Sequence, residues 1–350
     1  MPKVSAYAAQ TATSPVKPFS IDRRDPGPRD VAMDILFCGI CHSDLHQARN
    51  EWGNSTYPMV PGHEIVGRVT AVGKEVTRFE PGDIAGIGCL VDSCGECDFC
   101  LQELQQFCVK GAAPTYNGTN MDRKTPTYGG YSSSVVVTEK FALKIPHGLD
   151  PAGAAPLLCA GITTFSPLRL WKCKQSDRVG VMGLGGLGHM AVKLAASMGA
   201  DVTMLSTSRA KEADARRLGA RGFALTSDPA TFTKLAGTFD MLLDTISAPH
   251  DYNAYLGLLR PLGTMILVGA PPKPSPFVAF ALIMGSKRLV GSAIGGIAET
   301  QEMLDYCAGH GIVSDIEIIA IDQVNDAYDR MTRGDVRYRF VIDMATLPRS

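Results

Sequence analysis

The sequence predicts an α/β protein of two domains: an antiparallel, barrel-like β domain and a six-stranded, doubly wound parallel sheet. Three observations predict it. At 350 residues the chain is too long for one ordinary core. Residues 1–85 carry short β-type segments broken by turns, and from residue 178 the character changes to alternating strand and helix. The domain limits expected are 1–156 with 297–350, and 157–296.

In the first region V-A-M-D-I-L-F (31–37) and E-I-V-G-R-V-T-A-V-G (64–73) read as strands, punctuated by P-G-P (26–28) and P-G-D (81–83). In the second, R-V-G-V-M (178–182) is an apolar run fit for a buried parallel strand. Five more strand candidates follow at 201–205, 222–225, 239–244, 264–269 and 288–292, most of them separated by helical segments. Two helix–strand pieces close the chain, ending in R-Y-R-F-V-I-D (337–343). The parallel unit already has its six strands, so this tail is read as returning to the first domain.

Composition narrows the function. Basic and acidic residues nearly balance, 34 against 35, which gives no electrostatic footprint for nucleic acid or an anionic membrane. The first ten residues lack the apolar core of a signal peptide, and F-V-A-F-A-L-I-M-G (277–285) is under half a membrane span. Ten cysteines without a secretion signal fit a reducing cytoplasm and metal-bound thiolates better than disulfides.

The cysteines and histidines carry the chemistry. Between residues 38 and 64, C-G-I-C-H-S-D-L-H and P-G-H-E gather two cysteines, three histidines, an aspartate and a glutamate. Cys41 and His63 can supply two of the three ligands of a catalytic zinc, which keeps its fourth position open. Cys159, in A-A-P-L-L-C-A-G-I-T-T, is the candidate third, although a cysteine in an apolar run is ordinarily a small buried hydrophobe. Cys94, Cys97, Cys100 and Cys108 lie at spacings of three, three and eight. Thiolates so close can close a Cys₄ shell around a structural zinc; an iron–sulfur cluster or disulfides are the rival readings. Cys38, Cys89, Cys173 and Cys307 have no evident partner and read as plain thiols.

The run G-L-G-G-L-G directly follows the strand at 178–182 and opens a helical pattern with Met190, Ala191, Leu194, Ala195 and Met198 apolar. That context makes Gly183, Gly185, Gly186 and Gly188 a dinucleotide fingerprint, in which the bare backbone approaches a pyrophosphate at a helix N-terminus. After the second strand an NAD site normally has an acid for the ribose 2′-hydroxyl. Here the chain runs Ser206, Thr207, Ser208, Arg209, Ala210, Lys211, with no carboxylate to repel a 2′-phosphate and with hydroxyls and cations to bind one. NADP(H) is therefore the expected coenzyme. The plain alternative is a polar turn with Ser208 as helix N-cap.

With these motifs in view, the chain resembles the zinc-dependent medium-chain alcohol dehydrogenases, and within them the cinnamyl-alcohol-dehydrogenase-like group and its microbial NADP-dependent members. The resemblance covers essentially the whole chain. Its carriers are C-G-I-C-H-S-D-L-H, Y-P-M-V-P-G-H-E-I-V-G, the four-cysteine lobe, P-L-L-C-A-G-I-T-T, G-L-G-G-L-G-H-M and G-G-I-A-E-T-Q-E-M-L. It implies a GroES-like catalytic barrel and a Rossmann cofactor domain, two zincs per chain, a homodimer, and exchange of hydride between primary alcohols and aldehydes.

The resemblance also implies roles. Cys41, His63 and Cys159 hold the catalytic zinc, with Glu64 as the adjacent acid able to approach it and Asp44 as the carboxylate that orients His63. Ser43 bonds the substrate oxygen and His46 is the outer end of a proton relay; at a random site each would be an ordinary loop or surface group. His42 meets the pyrophosphate, Thr163 and Ser292 to Ile294 pack near the nicotinamide, and Leu187, Thr245, Val268 and Gly269 join the cofactor site. Trp52 and Leu90 shape the substrate pocket. Three alternatives remain: a zinc-free quinone or enoyl reductase, a polyol dehydrogenase, and an inactive zinc-binding scaffold. Both ligand sets and the glycine loop are complete, which weighs against all three.

Overall fold

A computed structural model describes residues 3–271 and 273–348. Two compact units divide it: residues 1–162 with 295–350, and residues 163–294. The sequence expectation drew these limits six residues earlier at the first crossing and two residues later at the second.

The first unit is built around strand Asp30–Ile40, where Val31, Met33, Ile35, Cys38 and Ile40 are buried. It pairs antiparallel with Ile65–Val72, Ser134–Thr138 and Arg339–Asp343. The sheet extends through Ile84–Ile87 to Leu143–Lys144 on one side, and by a parallel pairing to Ile316–Ala320 on the other. The closing segment of the chain thus enters the sheet of its beginning. The central strand runs three residues beyond the apolar run 31–37, because Cys38, Gly39 and Ile40 pair with Ile342, Val341 and Phe340. Its far end and the start of Ile65–Val72 lie side by side, with Cys38 opposite Ile65. Cys41 and the His63–Glu64 pair therefore leave the sheet at the same end.

The second unit is a six-stranded parallel sheet. Its spatial order is Gly222–Leu225, Asp201–Ser206, Arg178–Met182, Phe239–Asp244, Leu259–Leu267 and Arg288–Gly291. Strand order reverses between Arg178–Met182 and Phe239–Asp244, the switch point where such sheets bind ligands beyond their C-terminal ends. Val179, Val181, Val202, Met204, Leu242 and Leu243 are wholly buried, as continuous apolar runs covered on both faces require. Leu259–Leu267 begins five residues before the apolar stretch T-M-I-L-V-G, through a register irregularity opposite Phe239 and Met241. Helix Gly186–Ser197 buries Met190, Ala191, Leu194 and Ala195, while Met198 falls at its C-cap.

Candidate active site

Cys41 directly follows the last residue of the central strand, Ile40, and is the N-cap of helix His42–Ala48. Asp44, three residues on, is fully buried and turns back on that start: its Oδ2 accepts from the Cys41 amide at 2.8 Å. Its Oδ1 accepts from the Gly62 amide at 3.0 Å and from His63 Nδ1 at 3.1 Å. A carboxylate facing Nδ1 requires the proton there, so Nε2 is left as the lone-pair nitrogen. That Nε2 lies 3.2 Å from Cys159 Sγ, and Cys159 Sγ lies 3.9 Å from Cys41 Sγ. Cys159 arrives by a 3₁₀ turn, Ala155–Leu158, whose four residues are all buried.

Ligand atoms of Cys41, His63, Glu64 and Cys159 lie within 4.8 Å of one another. Adjacent sulfur ligands of a tetrahedral zinc stand about 3.8 Å apart, so the sulfur separation suits that ion. The Glu64 carboxylate strengthens the match: neither of its oxygens accepts a hydrogen bond, although both are buried. Arg339 stands beside it, with Nη1 at 3.3 Å from Oε1, an ion-pair distance without hydrogen-bond alignment. Burial raises the Glu64 pKa to about 8 against the pull of Arg339. The thiols divide in the same sense, since their mutual hydrogen bond holds Cys41 well below the ordinary range and pushes Cys159 well above it. A divalent cation lets both be thiolates at once.

Cys89, which the sequence left without a partner, belongs to this cluster. It is hydrogen-bonded to Cys159, which lowers its pKa. Tyr116 is also buried here, its ring 5.7 Å from that of His63. The other unassigned thiols differ: Cys38 is fully buried, Cys307 packs on Met303 Sδ at 3.7 Å, and burial pushes Cys173 up to about 12.

Along helix His42–Ala48, the Ser43 hydroxyl accepts from Cys41 Sγ at 3.6 Å. His46 Nδ1 is bound to Glu51 Oε2 at 2.5 Å, a partner absent from the sequence reading. The half-exposed Trp52 lies 5.3 Å from His46, and the exposed His42 6.2 Å from it, ring to ring. Leu90 is half-buried at the start of strand Leu90–Asp92.

The second cysteine cluster occupies its own lobe. Ligand atoms of Cys94, Cys97, Cys100 and Cys108 all lie within 4.8 Å of one another, and Cys94 and Cys100 sulfurs are 3.9 Å apart. Backbone amides point at the sulfurs: Cys108 accepts from the Cys94 amide at 3.5 Å, and the Cys100 and Val109 amides draw Cys97 down to about 6. Four sulfurs with no fifth ligand in the group match a closed structural zinc shell.

In the second unit Gly183 has φ +86°, and a Cβ on Gly188 would stand 1.9 Å from the Gly183 carbonyl oxygen. Only glycine permits that closeness. Nothing lies within 4 Å of a Cβ position on Gly185, leaving the N-terminus of helix Gly186–Ser197 open beside Leu187. The first amides of a helix have no partner inside it, and here they present a cradle for phosphate. Lys211 Nζ donates to the Leu184 carbonyl within the glycine loop at 2.6 Å. Ser206 is buried and its Oγ accepts from the Ser208 amide at 3.2 Å. Ser208 is the N-cap of the turn Arg209–Lys211, but its side chain makes no capping bond. Arg209 is exposed and 3.7 Å from Glu212. Thr163 is buried; Val268 and Gly269 donate to the Asp244 carbonyl, Ser292 to that of Leu267, and Ile294 has φ +39°.

Comparison with known proteins agrees with this geometry. Residues 27–147 match the alcohol dehydrogenase GroES-like domain, and residues 186–309 the zinc-binding dehydrogenase domain. The chain is 55% identical over 347 residues to NADP-dependent alcohol dehydrogenase C of Mycobacterium bovis, covering 99% of this chain and all of the relative. It is 52% identical to aldehyde reductase YahK of Escherichia coli, covering 99% of each. A cinnamyl alcohol dehydrogenase structure from Sorghum bicolor superposes with a TM-score of 0.97 at 44% identity, covering 100% of this chain and 99% of that one.

Proposed function

The chain belongs to the zinc-binding alcohol dehydrogenase family with a GroES-like domain, and on that premise we propose that it is an NADP(H)-dependent alcohol dehydrogenase and aldehyde reductase. Its substrates in this reading are primary alcohols and the matching aldehydes, aromatic, cinnamyl-type or medium-chain. The observation that carries the reading is the meeting of Cys41, His63 and Cys159, remote in sequence, around one point, with His63 Nε2 oriented by Asp44.

Cys41, His63 and Cys159 would hold the catalytic zinc, with Glu64 able to approach it, and the four lobe cysteines the structural one. The glycine loop and the residues from Ser206 to Lys211 would hold NADP(H). When bound, these groups supply a Lewis acid at the substrate oxygen and a hydride donor or acceptor. The protein's own part is to orient and to move the proton. The Ser43 hydroxyl bonds the substrate oxygen, and His46, backed by Glu51, passes the proton to solvent. Trp52 and Leu90 border the substrate, His42 meets the pyrophosphate, and Thr163 with Ser292 to Ile294 flanks the nicotinamide.

Preference for the 2′-phosphate is supported by the turn at residues 206–211. It has no carboxylate, Ser208 leaves its hydroxyl out of capping, and Lys211 is already folded onto the glycine loop. Two or three charge-assisted bonds of about 1.5–3 kcal/mol each account for a preference of about a hundredfold or more. The test is kcat/KM for an aromatic aldehyde with NADPH and with NADH, repeated in Ser206→Asp. The wild type should favour NADPH and the variant should lose that preference; a wild-type ratio near one refutes the assignment.

A reducing compartment, the cytoplasm, and a homodimer complete the proposal. Two thiolate clusters need reduced cysteines. Among the described residues no helix is long and apolar enough to cross a membrane. Strand Arg288–Gly291 ends its sheet, and Phe277, Val278, Phe280, Ile283 and Met284 are exposed in the same unit, a face suited to a second copy.

A further inference from the structure

The segment from Thr245 to His250 leaves the sheet at its switch point and is anchored by one ion pair. Thr245 Oγ1 donates to the Met182 carbonyl at 2.7 Å, the last residue before the glycine loop. Its amide donates to the same carbonyl at 3.1 Å. The fully buried Asp244 stitches the segment from behind. Its Oδ1 accepts from the Ile246 amide at 3.0 Å, and its Oδ2 meets His250 Nε2 at 2.9 Å. Its backbone carbonyl accepts from Val268 and Gly269 at 3.0 and 2.9 Å. Thr245 follows Asp244 in the chain and Val268 and Gly269 bond its backbone carbonyl, so three residues assigned to the cofactor site adjoin the position that the carboxylate ties to Ile246 and His250.

His250 closes the arrangement. Its Nε2 faces a carboxylate, and its Nδ1 faces the Ala248 carbonyl at 2.9 Å. Carbonyl and carboxylate oxygens only accept, so both ring nitrogens must carry hydrogen, and the ring that fits is the imidazolium. The neutral ring would turn a lone pair on one of the two oxygens and release either the loop or the aspartate.

We propose that His250, as an imidazolium bound to Asp244 and to the Ala248 carbonyl, is a positioning residue that fixes the 245–250 loop in the form that accepts NADP(H). The inference rests on the reading of this unit as the NADP(H) site and deepens it. His250 bonds Asp244 and the Ala248 carbonyl and acts through Asp244, Thr245 and Ile246.

The titratable groups facing the ring are Asp244 from the strand end, Asp251 beside it, and the phenols of Tyr252 and Tyr255, whose rings lie 4.9 and 5.6 Å away. Both phenols have raised pKa values, chiefly through burial, and stay neutral. Burial alone would lower the His250 pKa; the bonds to Asp244 and Ala248, with the charges of Asp244 and Asp251, outweigh it and raise it above its ordinary value. The sign follows: the loop is held fully below the ordinary histidine pKa and is released as pH rises through the raised one.

The experiment is direct binding of NADPH, without substrate, followed by its fluorescence from about pH 6.5 to about pH 9 in wild type and His250→Gln. In wild type the Kd, corrected for ionisation of the 2′-phosphate, should be steady at the acid end and rise about tenfold across the window. In His250→Gln binding should be weak throughout and follow only the ionisation of the 2′-phosphate, which the variant-to-wild-type ratio removes. Histidine NMR of the wild type gives a second readout that needs no variant, and it should find the His250 ring doubly protonated at neutral pH. A wild-type profile parallel to that of His250→Gln, or a neutral ring at neutral pH, overturns the proposal. Failure of the wild type to bind NADPH at any pH overturns the cofactor reading, and this inference with it.

Discussion

Replacing Asp44 by asparagine tests how the catalytic ligands are held. The change keeps the shape and removes the charge and one acceptor. In the wild type the carboxylate takes three bonds, from the Cys41 amide, the Gly62 amide and His63 Nδ1, at 2.8, 3.0 and 3.1 Å. An asparagine has two orientations here. With its NH₂ toward Cys41, it leaves that buried amide facing another donor, at about 1–3 kcal/mol. With its NH₂ toward Gly62 and His63, it drives the His63 proton onto Nε2, the nitrogen needed for the metal. Whichever it adopts, the surviving bonds lose their charge assistance, about 1 kcal/mol each. The sum over the two orientations is a loss of about 2–5 kcal/mol in stability and a weakening of about 10–100-fold in zinc affinity. Chelator competition monitored with a zinc indicator, alongside urea unfolding, measures both. One zinc per chain should leave more easily while the other keeps its wild-type affinity. Unchanged zinc affinity and unchanged stability would refute the orienting role.

The two metal sites should separate by mutation: Cys159→Ser abolishes turnover in a folded protein, whereas Cys97→Ser lowers the melting temperature, because a closed thiolate shell contributes folding energy. Metal analysis of the wild type should approach two zincs per chain, and one or fewer in folded protein contradicts the pair of sites. His46→Gln should slow alcohol oxidation and recover in part with added imidazole, and removing the Ser43 hydroxyl should cost more; wild-type rates in both leave no relay.

The strands and the glycine loop were legible because each is a local pattern: an apolar run at 178–182, then glycines, then apolar residues at helical spacing. The lobe cysteines were legible for the same reason, lying within fifteen residues. Contacts that depend on distant chain were not. Arg339 stands beside Glu64 only because strand Arg339–Asp343 pairs with Asp30–Ile40, and no property of either residue announces the other. Cys89 is hydrogen-bonded to Cys159, which lies far along the chain, so its thiol looked idle in sequence. Glu51 is close to His46 in the chain but lies past the end of the helix, where spacing alone sets no direction. Lys211 was assigned to the coenzyme phosphate from its charge; its reach back to the Leu184 carbonyl is a property of the folded turn.

The central claim is that this protein moves a hydride between NADP(H) and a carbonyl carbon. NADPH carrying deuterium at the transferable C4 position, incubated with the enzyme and an aromatic aldehyde, reads that step directly by mass spectrometry of the alcohol formed. The wild-type product should carry one deuterium on the carbinol carbon, and Cys159→Ser should form none of it. Alcohol formed without deuterium from either face-labelled coenzyme, or labelled alcohol formed equally well by Cys159→Ser, would contradict it.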